Sequence, residues 1–154
     1  MNTRITTQAF FDPKTWTVTY VVSDPTRLRA AVIDPVLDYD FKSGHTSSTS
    51  ADQVLAYLTE HVLQVDWILE THAHADHLSG ARYLQQRVGG RIAIGENIRS
   101  VQAAFKKLYN LERSFLPDGS QFDTCSRTAR PSASGRSRPQ PCLCPATHRR
   151  TWPI

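Results

Sequence analysis

Four residues within a span of six, His72, His74, Asp76 and His77, carry the most specific chemistry in this 154-residue chain. They stand in the run Thr71-His72-Ala73-His74-Ala75-Asp76-His77-Leu78-Ser79-Gly80, directly after the apolar segment Trp67-Ile68-Leu69. An extended backbone projects residues i and i+2 to one side, so His72 and His74 can face a single metal ion. Asp76 and His77 follow where the chain turns toward a helix, and they can face a second position nearby. Neutral imidazole and carboxylate suit zinc, iron(II) or manganese, so the ligand chemistry leaves the metal open. A lone histidine would read as an ordinary loop residue. Three of them with a carboxylate, between a strand signal and a helix signal, read as metal ligands.

The elements that position this loop follow from patterning. Thr15 to Val22 is rich in β-branched and aromatic residues and is closed by Ser23-Asp24-Pro25; Ala30 to Asp34, stopped by Pro35, is its hairpin partner. A polar stretch from Asp38 to Ser50 reads as a loop. Ser50 or Asp52 then caps a helix in which Val54, Leu55, Leu58 and Val62 recur at helical spacing. Val65 to Glu70 is a short buried strand feeding the histidine run. Leu78, Ala81, Leu84 and Val88 form a second helical stripe, ended by Gly89-Gly90. Arg91 to Gly95 is a strand, and Ile98, Val101, Phe105 and Leu108 mark a third helix with Asn97 at its start. The order β-β-α-β-α-β-α predicts an α/β domain with a mixed sheet.

Charge and composition divide the chain near residue 118. Residues 1–118 hold 12 Lys/Arg against 13 Asp/Glu, a balance of −1, whereas 119–154 hold six Arg against one Asp, a balance of +5. The body therefore offers no electrostatic case for nucleic acid. Cys125, Cys142 and Cys144 all lie in the basic part, so no disulfide framework is expected. No run approaches the roughly 20 apolar residues of a membrane span. These features point to a cytoplasmic protein that contacts neither membrane nor nucleic acid. With five prolines and few aliphatics, 119–154 is expected to be a disordered tail. Dense Arg, Pro, Ser, Ala and Cys is also what a GC-rich gene yields when read out of frame. Residues from about 120 onward are accordingly expected to be an out-of-frame reading, with a genuine short, divergent protein as the alternative; resequencing of the locus decides between them.

The H-x-H-x-D-H run at a strand-to-helix junction resembles the signature of the metallo-β-lactamase superfamily. Further likeness, to its glyoxalase II-like and persulfide dioxygenase branch, is carried by Phe10-Phe11-Asp12-Pro13, by Ala31 to Asp40, by Ile68 to Ala81, and by Asp40-Phe41-Lys42-Ser43-Gly44-His45-Thr46-Ser47. The resemblance covers roughly residues 8–118 and implies the N-terminal half of an αββα sandwich with a metal site at the sheet edge. In hydrolase members, the positions matching His72 and His74 bind one metal and those matching Asp76 and His77 a second; Asp76 is also the expected catalytic carboxylate. In persulfide dioxygenases a single iron(II) is held at the position of His72 together with a later histidine and a later aspartate, and glutathione persulfide is oxidised by O₂. The implied cofactor is iron(II) or zinc, and the implied partner is a small glutathione-derived thiol, with a homodimer as the assembly.

After His77 the chain offers only His148, Asp118 and Asp123 as residues of the types expected from the second half of such a site. Asp118 is explained by its Pro-Asp-Gly turn, and His148 has no family context. Weak metal binding and little turnover are therefore expected. Three readings stand: a sulfur dioxygenase, a thioester hydrolase of glyoxalase II type, and a non-catalytic fragment. Asp34 reads first as a strand end, with an orienting role for the histidine loop as the alternative. His45 and His61 read as an exposed loop residue and a helix-end residue.

Overall fold

The computed structural model describes residues 5–126. Cys142, Cys144, His148 and the rest of 127–154 lie outside the described residues. Strands β1 (Thr6–Asp12), β2 (Thr17–Asp24), β3 (Arg29–Ile33), β4 (Val36–Asp40) and β5 (His45–Ser47) precede helix α1 (Thr49–Glu60). Then follow β6 (Gln64–Glu70), β7 (Leu78–Ser79), α2 (Ala81–Val88), β8 (Arg91–Gly95), α3 (Ile98–Leu108) and β9 (Thr124–Ser126). The main sheet has the order β1-β2-β3-β6-β8-β9, and a smaller sheet has the order β5-β4-β7. In the main sheet β1, β2 and β3 are antiparallel neighbours, while β3, β6, β8 and β9 run parallel, so the sheet is mixed as expected.

Strands covered by helices on one face need apolar residues at alternate positions on that face. Val21, Val32, Ile68 and Ile92 supply them, and Ala51, Val54 and Leu58 of α1 and Ala81 and Leu84 of α2 cover them. Val54 and Leu58 belong to the stripe read from sequence, with Leu55 partly buried beside them and Ala51 added one turn earlier. The stripe stops earlier than expected: Val62 is not on it but turns left-handed at φ 53° and stands 72 % exposed. Leu63 packs against the core in its place. The helix starts at Ser48 rather than at Ser50 or Asp52. Ser50 is otherwise engaged, donating from its backbone N–H and its hydroxyl to Asp38 at 2.8 Å each.

Three further departures from the sequence expectation bear on the site. Thr6–Asp12 forms an additional edge strand, with Phe10 edge-on to Tyr57 of α1. The stretch expected as a loop after Asp38 contains most of β4 and β5. Leu78 belongs to β7 rather than to α2, and pairs with Leu37 of β4. At the far end, ordered structure continues past the change in composition: Thr124–Ser126 adds to the edge of β8, and Phe122 packs on the core.

Gly80 sits where the histidine loop rejoins the fold. Its N–H donates to the Pro35 carbonyl at 2.7 Å, and a Cβ there would stand 2.8 Å from the carbonyl oxygen of Val36. Gly80→Ala is expected to destabilise the protein by roughly 1–3 kcal/mol, as overpacking against backbone does. Thermal or denaturant unfolding measures it.

Candidate metal centre

The histidine run leaves the carboxyl end of β6, in the middle of the parallel part of the sheet, where ligand crevices of such sheets form. In the register, Ile33 of β3 lies beside Leu69 of β6, which brings Asp34 alongside Glu70. Asp34 adopts φ 48°, a left-handed conformation that Asp tolerates better than most residues. Its N–H donates to the Leu69 carbonyl at 2.8 Å. Its carboxylate accepts the Thr71 N–H and the Thr71 hydroxyl, both at 2.7 Å. The strand end is thus a buckle for the first residue of the loop. Sequence reasoning had ranked the strand-end role of Asp34 first; the structure shows the orienting role.

Each histidine is anchored through one ring nitrogen. His74 Nε2 lies 2.9 Å from Asp34 Oδ1 and 3.0 Å from Glu70 Oε2. His72 Nδ1 is 2.8 Å from the Thr71 hydroxyl, and His77 Nδ1 is 3.0 Å from the Leu78 carbonyl. The three rings adjoin at a tilt, His72 to His74 at 4.3 Å between centroids and 51° between planes, His74 to His77 at 4.1 Å and 32°. Donor atoms of His72, His74 and Asp76 lie within 4.8 Å of one another. Asp76 Oδ1 stands 3.6 Å from His74 Nδ1, too long for a hydrogen bond. Asp76 thus shares a cluster with His72 and His74. A second group, Asp34, Glu70 and His74, also falls within 4.8 Å.

Two atoms test whether a metal fits. His74 Nδ1 and His77 Nε2 are buried and have no hydrogen-bond partner among the described residues. Buried polar atoms are nearly always satisfied, so two unpaired imidazole nitrogens on neighbouring rings need an explanation. With a carboxylate beside them, they form a donor set that suits a divalent transition metal. Both residues line a cavity of about 370 Å³, whose other walls include Ile92, Ile94, Ile98 and Phe122 with Arg82 nearby.

Electrostatics tie His74 to its anchors. Burial of the ring works against its charge, but the hydrogen bond to Asp34, the close contact with Glu70 and the charges of both carboxylates prevail, and its pKa is raised to about 10. Burial likewise pushes Asp34 up, yet its bonds from His74 and Thr71 hold it below the ordinary carboxylate value. A histidine with a folded pKa raised from 6.5 contributes stability fully below about 6.5, and that contribution is lost as pH rises toward about 10. The metal-free protein is thus expected to lose thermal stability over that window, and His74→Gln to flatten the change. Calorimetry on both proteins in a chelator-containing buffer checks it.

The family model described as the metallo-beta-lactamase superfamily matches residues 17–140. The chain belongs to that superfamily. A beta-lactamase hydrolase-like protein of Agrobacterium fabrum is 52 % identical over 116 residues, covering 75 % of this chain and 27 % of that protein. Glyoxylase B2 of Dictyostelium discoideum is 43 % identical over 124 residues, 80 % of this chain and 42 % of the relative. A mitochondrial persulfide dioxygenase of Bos taurus is 29 % identical over 93 residues, 60 % of this chain and 32 % of the relative. The chain therefore spans between about a quarter and two-fifths of the length of these relatives. The superfamily match runs past residue 118, as does the sheet. No helix among the described residues is long and apolar enough to cross a membrane.

Glu70 and Ser79 are the site residues that sequence reasoning did not single out. Glu70 is 3 % exposed and accepts a hydrogen bond from the Ser79 hydroxyl. The signal was present: a glutamate in phase with buried Ile68 on a strand must find a partner.

Proposed function

We propose that this metallo-β-lactamase superfamily chain contributes His72, His74, Asp76 and His77 to a metal site acting on a glutathione-derived thiol compound. The supporting observation is the pair of buried, unpartnered nitrogens, His74 Nδ1 and His77 Nε2. When bound, a divalent metal supplies Lewis acidity, and iron(II) additionally supplies a centre for O₂ and sulfur. The chain's own residues do the rest. Asp34 holds His74 by Nε2 and leaves Nδ1 for ligation. Thr71 leaves Nε2 of His72 available in the same way. Asp76, half-exposed beside them, is the carboxylate we assign to catalysis, where it can ligate or hold a proton. Ile92, Ile94 and Phe122 form an apolar wall of the cavity.

The favoured reaction is a persulfide dioxygenation, in which glutathione persulfide, O₂ and water give sulfite, glutathione and two protons. The Asp40–Ser47 loop and the flanks of the histidine run support it. A second reading, hydrolysis of an S-acylglutathione thioester, draws on the 43 % identity to glyoxylase B2, higher than the 29 % to the persulfide dioxygenase. Elemental analysis of the purified chain, with an oxygen electrode, sulfite detection and thioester hydrolysis assays, separates them. Iron with O₂-dependent sulfite release supports the first reading, and zinc with thioester cleavage the second. A metal-loaded chain inert in every assay supports a non-catalytic fragment.

A further inference from the structure

Two carboxylates converge on one ring nitrogen of His74, and only Asp34 is in line to accept its N–H. Glu70 Oε2 is 3.0 Å from the same nitrogen, and its other oxygen is held by the hydroxyl of Ser79. Glu70 is the last residue of β6 and Ser79 the last of β7, so this contact joins the two ends of the histidine loop. Ser79 also accepts the N–H of Ala81 at 3.1 Å, which links the contact to the first turn of α2. We propose that Glu70 is a positioning residue: with Ser79 it closes the base of the loop and fixes the His74 ring so that Nδ1 faces the site. This rests on the metal-site reading above and extends it to residues outside the histidine run.

The geometry makes the case for a role beyond packing. Glu70 is almost fully buried, and a carboxylate there is costly unless it is partnered. A leucine or methionine at the end of a parallel strand would fill the space without that penalty. Its Oε1 is held by the serine that restarts regular structure after the loop, while Oε2 makes no hydrogen bond and lies at ion-pair distance from the imidazole whose Nδ1 is buried and free. Asp34 by itself leaves the ring free to pivot about a single contact; a second carboxylate from the neighbouring strand removes that freedom. Partners behind a ligand commonly alter metal affinity by about 10–100-fold when removed.

The test uses the full chain and cobalt(II) as the probe, with affinity from chelator competition and the ligand-field absorption band recorded. Glu70→Leu is expected to weaken cobalt binding roughly 10–100-fold and to shift the band. Glu70→Gln keeps the side chain's size and an oxygen for the Ser79 hydroxyl, and should restore most of the affinity. Ser79→Ala should weaken binding in the same direction by a smaller factor. Wild-type affinity and an unchanged band in both Glu70→Leu and Ser79→Ala would overturn the proposal. Should Glu70→Leu not fold, Ser79→Ala alone decides by the same criterion. Should the wild-type chain bind no cobalt, the metal-site reading fails, and the positioning role is judged without metal. Nitrogen-15 NMR must then show a slowly exchanging His74 Nε2 proton whose exchange accelerates in Ser79→Ala; equal exchange in both proteins would overturn it.

Discussion

His74→Ala is expected to lower metal affinity by at least about 100-fold, the largest effect of any single substitution in this chain. His74 is the one residue common to both clusters of metal-capable side chains. Its ring lies between those of His72 and His77, in tilted contact with both, so its loss also releases the orientation of its neighbours. A ligand removed outright surpasses the roughly 10–100-fold typical of the groups behind it. Isothermal titration with zinc or cobalt(II) measures the effect, with His45→Ala, at an exposed histidine of β5, expected to keep the wild-type affinity. The proton balance adds a second signature. Because the metal-free His74 has a pKa of about 10, ligation at neutral pH must expel a proton from Nδ1. Wild-type affinity should therefore rise with pH up to that value, and His74→Ala should lose that slope. Equal affinity in the two proteins would sink the assignment of His74 as a ligand.

The histidine run was legible because its meaning lies in adjacent residues: spacing, a preceding apolar strand and a following helix stripe are local features. Strands with a clear apolar run, such as those containing Val32, Ile68 and Ile92, were legible for the same reason. The elements that went unread are those created by pairing. Val36–Asp40 is short and interrupted by two aspartates and His45–Ser47 is polar, and they become strands by pairing with each other and, for Val36 and Leu37, with the end of the histidine loop. Thr124–Ser126 has no strand signature of its own and forms one by adding to the open edge of β8.

The same division separates ligands from their supports. His72, His74, Asp76 and His77 could be nominated from type and spacing. Asp34 acts on Thr71 and His74 from 37 and 40 positions upstream, and that proximity exists only once β3 lies parallel to β6. Glu70 was within reach, since a carboxylate in phase with a buried strand face demands a partner, but naming Ser79 as that partner required the loop to be closed. Side chains that hold a site are set by sheet register, which local sequence does not state.

Asp34→Ala carries the second-largest expected effect, because it removes three bonds at once: two to Thr71 and one to His74. Metal affinity should fall by roughly 10–100-fold, as for other groups that orient a ligand imidazole. Stability should also fall, by about 0.5–1.5 kcal/mol for each bond lost. The backbone complicates the second figure, since position 34 is left-handed and alanine resists that conformation. Asp34→Gly separates the contributions. Glycine adopts φ 48° freely, so it should recover part of the lost stability while showing the same loss of metal affinity as alanine. Asp34→Asn keeps an acceptor for Thr71 but not the negative charge beside His74, and should fall between wild type and alanine in affinity. Urea unfolding of the metal-free variants and cobalt(II) competition on the same preparations measure both quantities. If glycine restored metal affinity as well as stability, Asp34 would be a backbone device and its carboxylate irrelevant to the histidines. The geometry predicts the opposite, because that carboxylate bonds both the residue that opens the loop and the imidazole at its centre.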